Sequence, residues 1–284
     1  MYESFYGLRE KPFALTPDPQ FLYFTRQHLM ALNLLEYGLG ERAGFILITG
    51  EVGSGKTTLI RHLIQRLDHD LTVGLISNTS PTFGELLQWV LLAFGLDHKG
   101  KDSVDLHQAF TDFLIREYAA GRRVLLIVDE AQNLEMRRLE ELRVLSNINA
   151  GKDLLLQMVL VGQPELRELL RSPALRQLAQ RIAVDYHLDV LGPEEAHAYV
   201  RHRLTVAGGS PDLIDDAAIE FAHGRTGGVP RLMNSLCDTA LVYGFAEQRP
   251  RIDAELMAQV VRDRLAGGIL PLVAPVDGTR AELQ

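Results

Sequence analysis

The stretch GFILITGEVGSGKTTLIRHL carries Gly50, Gly53 and Gly55 within six positions, followed at once by Lys56, Thr57 and Thr58. Glycines at that spacing let the backbone turn so that successive N–H groups converge on an anion. A helix opening near Lys56 adds the positive end of its dipole. The lysine supplies a mobile charge for terminal phosphates, and the Thr57 hydroxyl is a ligand for Mg²⁺. Gly50, Glu51, Val52, Gly53, Ser54, Gly55 and Lys56, with Thr57 and Thr58, are therefore the candidate contacts to a nucleotide polyphosphate. The plain alternative is a glycine-rich turn. The pattern G-x-x-x-x-G-K-[ST] arises by chance in about one chain of this size in a hundred, and here it also sits between an apolar run and a helical one.

A second group follows from VLLIVDEAQ, which sets Asp129 and Glu130 at the end of an apolar run. Carboxylates there are costly unless they meet a cation or a proton donor. Asp129 is suited to hold Mg²⁺ through its water shell, and Glu130 to orient and deprotonate an attacking water. LVGQPEL ends another apolar run in Gln163, a candidate for holding that water or the γ-phosphate. Its plain alternative is a strand-terminal amide. Asn78 in LISNTS is a candidate restraint on Glu130. GRTGGVPRLMN sets Pro230 at a first helical position and Arg231 just inside it, from where a guanidinium can swing toward a nucleotide. LRQLAQRIAV carries Arg181 and Arg176, and either could reach from one subunit into the next subunit's site to stabilise a transferring phosphoryl group. Surface charge is the plain alternative for all three arginines in a chain with 29 Lys+Arg.

These groups need elements to hold them. Residues 45–49, 71–77, RVLLIVDEA (123–131) and 154–163, together with IAVDYHL, read as five strands, most of them apolar on both faces. They alternate with helical stretches at 25–38, 56–67, FGELLQWVLLAFGL, LHQAFTDFLIREYAAG, RRLEELRVLSNI and ELRELLRSPALRQLAQR, the last broken at Pro173. Strands of that kind between helices predict a five-stranded parallel sheet sandwiched by helices, an α/β fold. After about Val190 the pattern turns purely helical, in four segments punctuated by glycine. The expected organisation is an α/β domain over 1–190 including an N-terminal arm, a small α-helical lid over 191–266, and a tail or linker over 267–284. The arm, rich in aromatics and proline, is expected to be extended because TPDP cannot sit inside a helix.

Composition narrows the function classes. The chain has 284 residues, 46% hydrophobic and 23% charged, with a net charge of −8. An acidic balance argues against a chain built mainly to coat nucleic acid. One cysteine excludes an intrachain disulfide and a cysteine-rich zinc site, and fits a reducing compartment. Cys237 lies in the apolar helical run LMNSLCDTALVYGF and reads as core. No H-E-x-x-H or G-x-S-x-G occurs. MYESFYGLREKPF lacks the plan of a signal peptide, and the longest apolar runs, WVLLAF and VLLIV, are too short to span a bilayer.

Together the phosphate loop, DEAQ at a strand end, VGQPELR, GGVPR and an all-helical C-terminal part resemble the AAA+ ATPases, a P-loop NTPase family. The arm MYESFYGLREKPFALTPDPQFLYFT is similar to the start of the general secretion pathway protein A (ExeA-type) ATPases and of their relatives that accompany exosortase and exopolysaccharide gene clusters. The resemblance runs from residue 1 to about 266. It implies ATP rather than GTP, Mg²⁺, and hydrolysis by a ring or other homo-oligomer, hexamer-like and ATP-dependent. It implies Gln163 as sensor 1, Arg231 as sensor 2 and Arg181 or Arg176 as a finger acting in trans. It also implies that Leu8, Pro12 and Phe13 help enclose the adenine. Secretion-type members help envelope machinery assemble, and commonly continue into a membrane-spanning segment and a peptidoglycan-binding domain. Neither is present here, which suits the exosortase- or polysaccharide-linked relatives or a truncated chain. The expected location is cytoplasmic, with recruitment to the inner membrane by another protein.

Two further classes stay open beside an envelope-remodelling ATPase. Transposition helper ATPases share this core and bind DNA, and Arg137, Arg138 and Arg143 offer local charge, although RRLEELR is equally a solvated mixed-charge face. A non-hydrolysing nucleotide-dependent scaffold is the third, and the intact Lys56, Asp129 and Glu130 count against it.

Overall fold

A computed structural model describes residues 1–15, 18–67, 70–77, 85–267 and 272. The chain divides into two compact units, each treated by itself.

The first comprises Gln27–Gly50 and Leu59–Leu188. Its centre is a five-stranded sheet of β1 (Phe45–Gly50), β2 (Leu71–Ile76), β3 (Arg123–Val128), β6 (Leu156–Gly162) and β7 (Ile182–Leu188), in the order β2-β3-β6-β1-β7. All pairings are parallel. Alternation along the strands explains the burial of both faces. Phe45, Leu47, Val124, Leu126, Val128, Leu156, Met158 and Leu160 share one core with residues of the helices α4 (Leu86–Ala93), α5 (Ser103–Ala119) and α6 (Met136–Leu145). The intervening Ile46, Ile48, Leu125, Ile127, Val159 and Val161 are equally inaccessible. On that side α2 (Arg26–Gly40) comes so close at Gly38 that an added Cβ would lie 2.7 Å from Ile46 Cδ1. α3 (Lys56–Arg66) follows β1, and α7 (Pro164–Leu170) and α8 (Arg176–Ala179) lead to β7.

The expected five-stranded parallel sheet is what the structure contains, with local differences. Residues 154–163 do not form one strand. β4 (Asn149–Ala150) and β5 (Asp153–Leu154) make a small antiparallel hairpin, and β6 begins only at Leu156. α5 starts at Ser103, earlier than its apolar period suggests, because the Asp102 side chain accepts from Val104 N and Asp105 N, each at 2.9 Å.

The second unit comprises Met1–Arg26, Glu51–Thr58 and the chain from Asp189 on. Four helices, α9 (Pro193–Val206), α10 (Asp216–Thr226), α11 (Pro230–Ala246) and α12 (Ala254–Gly267), match the four expected segments. Cys237 is fully buried among them, and burial pushes its thiol up to about 12. One expectation about the arm is corrected. It is not simply extended: Tyr2–Phe5 form a helical turn, α1, and Pro19–Phe21 a 3-10 turn. Tyr2, Leu8, Phe13 and Phe21 are buried in the core of the helical unit. Each such side chain gains about 1.5–3 kcal/mol by leaving water, which an extended solvated arm would forgo. Arg9 N donates to Ala207 O at 2.8 Å, and Tyr6 Oη to Arg249 O at 3.1 Å. Among the described residues no helix is long and apolar enough to cross a membrane.

Candidate functional site

Gly50 is the last residue of β1, and Glu51–Thr58 follow it within the helical unit. The loop turns as its glycines require, with φ +81 at Gly53 and +100 at Gly55, values an L side chain rarely adopts. Ser54 N donates to Glu51 O at 3.1 Å, closing the turn. The Lys56 ammonium folds back onto the same carbonyl at 2.8 Å and is only 6% exposed. Ser54 is buried as well, whereas Glu51 and Val52 face solvent. α3 begins at Lys56 with no acidic residue in its first turn, so its positive end is not offset there.

Gly53 is required for a second reason. A Cβ built on it would stand 2.5 Å from Arg231 Cβ. Arg231 is the residue after Pro230, which occupies the first position of α11 as its fixed φ favours. The loop and the expected sensor arginine, 178 positions apart by number (231 − 53), are thus in direct apposition within one compact unit.

In the sheet unit, the ends of β1, β6 and β3 fall on one edge, with Thr49 beside Gly162 and Val128 beside Leu160. Asp129 continues the ladder, its N–H donating to Ile76 O at 2.8 Å, and its side chain is buried. Asp129 Oδ1 accepts from Glu130 N at 2.9 Å. Glu130 has φ +54, a left-handed conformation that costs a non-glycine residue on the order of 1–3 kcal/mol and that gathers at functional sites. Its Oε2 accepts from Gln132 Nε2 at 2.6 Å and from Gln163 Nε2 at 3.2 Å. The Gln163 backbone N–H donates in turn to Gln132 Oε1 at 3.0 Å. The structure therefore brings Glu130 and Gln163 together and adds Gln132, which sequence reasoning had not singled out. Its signal was the fourth letter of DEAQ.

The remaining candidates are placed as follows. Arg181 stands just before β7, at the sheet edge opposite Asp129 and Gln163, and donates to Ser146 Oγ at 2.7 Å and Asn147 Oδ1 at 2.5 Å. Arg176 opens α8 and is exposed. Neither joins the Glu130 cluster of its own chain. Leu8, Pro12 and Phe13 lie buried in the helical unit, Leu8 and Phe13 within its apolar core and Leu8 against Gly209. Pro12 is held by its carbonyl, which accepts from Arg203 Nε. Asn78 lies outside the described residues.

A parallel α/β sheet with a glycine-rich loop after its first strand, acidic residues at the tip of a neighbour-but-one strand and a helical C-terminal unit defines the P-loop fold of the AAA+ class. A family model described as "AAA domain" matches residues 39–170. Among solved structures, the fold is shared with the ORC2 protein of Aeropyrum pernix, solved as ADPNP-ADP complexes, at a TM-score of 0.64 and 19% identity over 89% of this chain and 71% of that one. It is shared also with Cdc6p of Pyrobaculum aerophilum, at a TM-score of 0.67 and 14% identity over 89% and 70%. The chain is 44% identical over 253 residues to General secretion pathway protein A of Aeromonas hydrophila, covering 89% of this chain and 46% of that protein. It is thus similar to general secretion pathway protein A over most of its own length, and spans about half the length of that relative.

Proposed function

We propose that this protein binds ATP on the Gly50–Thr58 loop and hydrolyses it to ADP and phosphate, as an oligomeric switch that assembles or remodels a bacterial envelope complex. The observation that carries the nucleotide reading is the loop itself: two left-handed glycines, a buried Lys56, a helix start and Arg231 against Gly53. Main-chain N–H groups of the loop and Lys56 hold the phosphates, and Arg231 answers the terminal one. Thr57 and Asp129 would hold Mg²⁺, which supplies charge neutralisation to the phosphates when bound. The buried, oxygen-rich Asp129 suits that hard cation. Glu130 takes a proton from the attacking water as that water's oxygen bonds to the γ-phosphorus and the bond from the γ-phosphorus to the ADP oxygen breaks, and Gln163 steadies that water. Leu8, Pro12 and Phe13 act through the packing of the arm, which closes the adenine end. The position of Arg181 and Arg176 away from their own chain's Glu130 supports a finger acting in a second copy. The envelope role is supported by the relative's name, General secretion pathway protein A; the cytoplasmic location and recruitment to the inner membrane by a secretion or exopolysaccharide component are supported by the family resemblance of the N-terminal arm.

The test is ATP turnover and oligomer size of the wild type, Lys56→Ala and Glu130→Gln, each with and without duplex DNA. Loss of binding in Lys56→Ala, and binding without turnover in a trapped oligomer of Glu130→Gln, are the expected results. Wild-type turnover in Glu130→Gln overturns the assignment of the base. Strong DNA stimulation with steep salt dependence moves the protein to the DNA-helper class.

A further inference from the structure

Three hydrogen bonds close a ring among Glu130, Gln132 and Gln163. Gln132 Nε2 donates to the Glu130 carboxylate at 2.6 Å, Gln132 Oε1 accepts from the Gln163 backbone at 3.0 Å, and Gln163 Nε2 returns to the same carboxylate oxygen at 3.2 Å. Gln132 is the only member that uses both ends of its amide, one on each partner. The 2.6 Å contact has the length of a charge-assisted bond, the strong kind. The surroundings are shaped to admit this amide. Gly162, at the tip of β6, has no side chain where a Cβ would stand 2.9 Å from Gln132 Oε1 and 2.7 Å from Leu166 Cδ2. From the other side the short 3-10 turn fixes the Gln132 backbone, with Asn133 N donating to Glu130 O at 3.0 Å and Leu134 N to Ala131 O at 3.1 Å. Glu130 itself is held in a left-handed backbone conformation, so its carboxylate direction is set by its partners and not by a relaxed main chain.

We infer that Gln132 is a positioning residue that ties the carboxylate of Glu130 to the tip of β6, so that the base and Gln163 are oriented as one unit. The inference rests on Glu130 being the base of the proposed hydrolysis. A displacement of Gln163 then moves its backbone N–H, that N–H moves the Gln132 amide, and the amide re-aims Glu130. Recognition at the tip of β6 and proton transfer at the tip of β3 are thus coupled through this side chain, beside the direct bond from Gln163 to Glu130.

The test uses the full chain with Gln132→Met, close to glutamine in volume but without its amide donor and acceptor, and Gln132→Glu, which keeps the length but sets a second carboxylate against Glu130. Gln132→Met is expected to lower kcat about tenfold, the loss of one hydrogen bond to a charged group, while KM for ATP and the affinity for a non-hydrolysable ATP analogue stay within about twofold. Gln132→Glu is expected to lose more, about a hundredfold in kcat, with the same unchanged binding. Wild-type kcat in Gln132→Met overturns the inference. So does a parallel fall of kcat, nucleotide affinity and melting temperature, the mark of a residue that serves only the fold. A readout independent of turnover separates this from failure of the ATPase reading: the Gln132 side-chain amide protons in NMR should resonate downfield and move upfield in Glu130→Ala. Amide resonances that ignore Glu130→Ala sink the inference even in an active enzyme. A chain in which they respond but no ATP is turned over keeps the ring and removes the base from it.

Discussion

Gly53→Ala adds one methyl group at the point where the loop meets α11. Two costs follow. At φ +81 an L residue is in left-handed territory, worth roughly 1–2 kcal/mol against the loop. The new Cβ would also sit 2.5 Å from Arg231 Cβ, where carbon atoms rest at about 3.5–4.0 Å. Arg231 Cβ is the rigid root of its side chain, so no rotamer change removes the clash, and the loop or the first turn of α11 must move by about 1 Å. A loop displaced by that much loses one or two amide bonds to phosphate, each worth about 1.5–3 kcal/mol to a charged acceptor, so nucleotide affinity should fall by between about ten- and about ten-thousandfold. Global stability should fall by only about 1–2 kcal/mol, a few degrees in Tm for a chain of this size. Calorimetric titration with a non-hydrolysable ATP analogue reads the first effect and thermal melting the second. Introducing Gly53→Ala into an Arg231→Gly background removes the clash and leaves the φ cost, so there the added loss should be about tenfold, no more. Undiminished affinity in Gly53→Ala would refute the claim that this turn and this apposition shape the phosphate cradle.

Two further outcomes concern the frame around the site. The Arg122 guanidinium, hydrogen-bonded to Glu117 at 2.6 Å and 2.8 Å, with help from the Thr72 hydroxyl, holds the Glu117 carboxyl down to about 2. Because the folded value lies below the unfolded one of about 4.3, the stabilisation is complete above that pH and disappears as pH falls toward the folded value. The urea-unfolding gap between wild type and Glu117→Gln, roughly 2 kcal/mol at pH 6 once the part-exposure of Arg122 is discounted, should close over that window. A gap independent of pH would show that the pair stabilises by packing alone. For the arm, Arg203→Met removes the donors to Pro12 O and to Tyr199 Oη and the guanidinium lying 4.9 Å over the Phe21 ring. Limited proteolysis within residues 1–15 should accelerate at least about tenfold, and unchanged cleavage would show that the apolar side chains hold the arm unaided.

How far the fold was legible depends on which forces write it locally. The strands β1, β3 and β6 are apolar on both faces, and that alone implies a covered parallel sheet, so they were readable to within three residues, the largest miss being β3, which stops at Val128 where the expected strand ran on to Ala131. Their order, with β6 between β3 and β1, was not, because adjacency is decided by long-range pairing that leaves no local mark. The phosphate loop was legible because its chemistry needs glycine at fixed positions. Pro230 marked the start of α11, but nothing local shows that Arg231 ends against Gly53. Gln132 escaped for a related reason: an exposed-looking amide in a turn has no periodicity, and its partners lie on another strand.

The arm shows how composition can announce order without naming the residue that supplies it. Its prolines and aromatics excluded a long helix and announced order. What they order against is set by an arginine nearly two hundred residues away in sequence, for Arg203 is buried with its donors on arm carbonyls and on Tyr199. A guanidinium taken out of water needs every donor satisfied, and here backbone oxygens of Pro12 and Ala14 do what a carboxylate would otherwise do. Those oxygens are available only if the arm is folded down, so the charge of Arg203 and the apolar surface of Leu8, Phe13 and Phe21 favour the same arrangement for independent reasons. The phosphate loop and Arg231 belong to the same compact unit as this arm. Removal of residues 1–15 should therefore leave Arg203 with unmet donors and strip the helical core of Tyr2, Leu8 and Phe13. Nucleotide affinity should fall with it although none of the loop residues is touched.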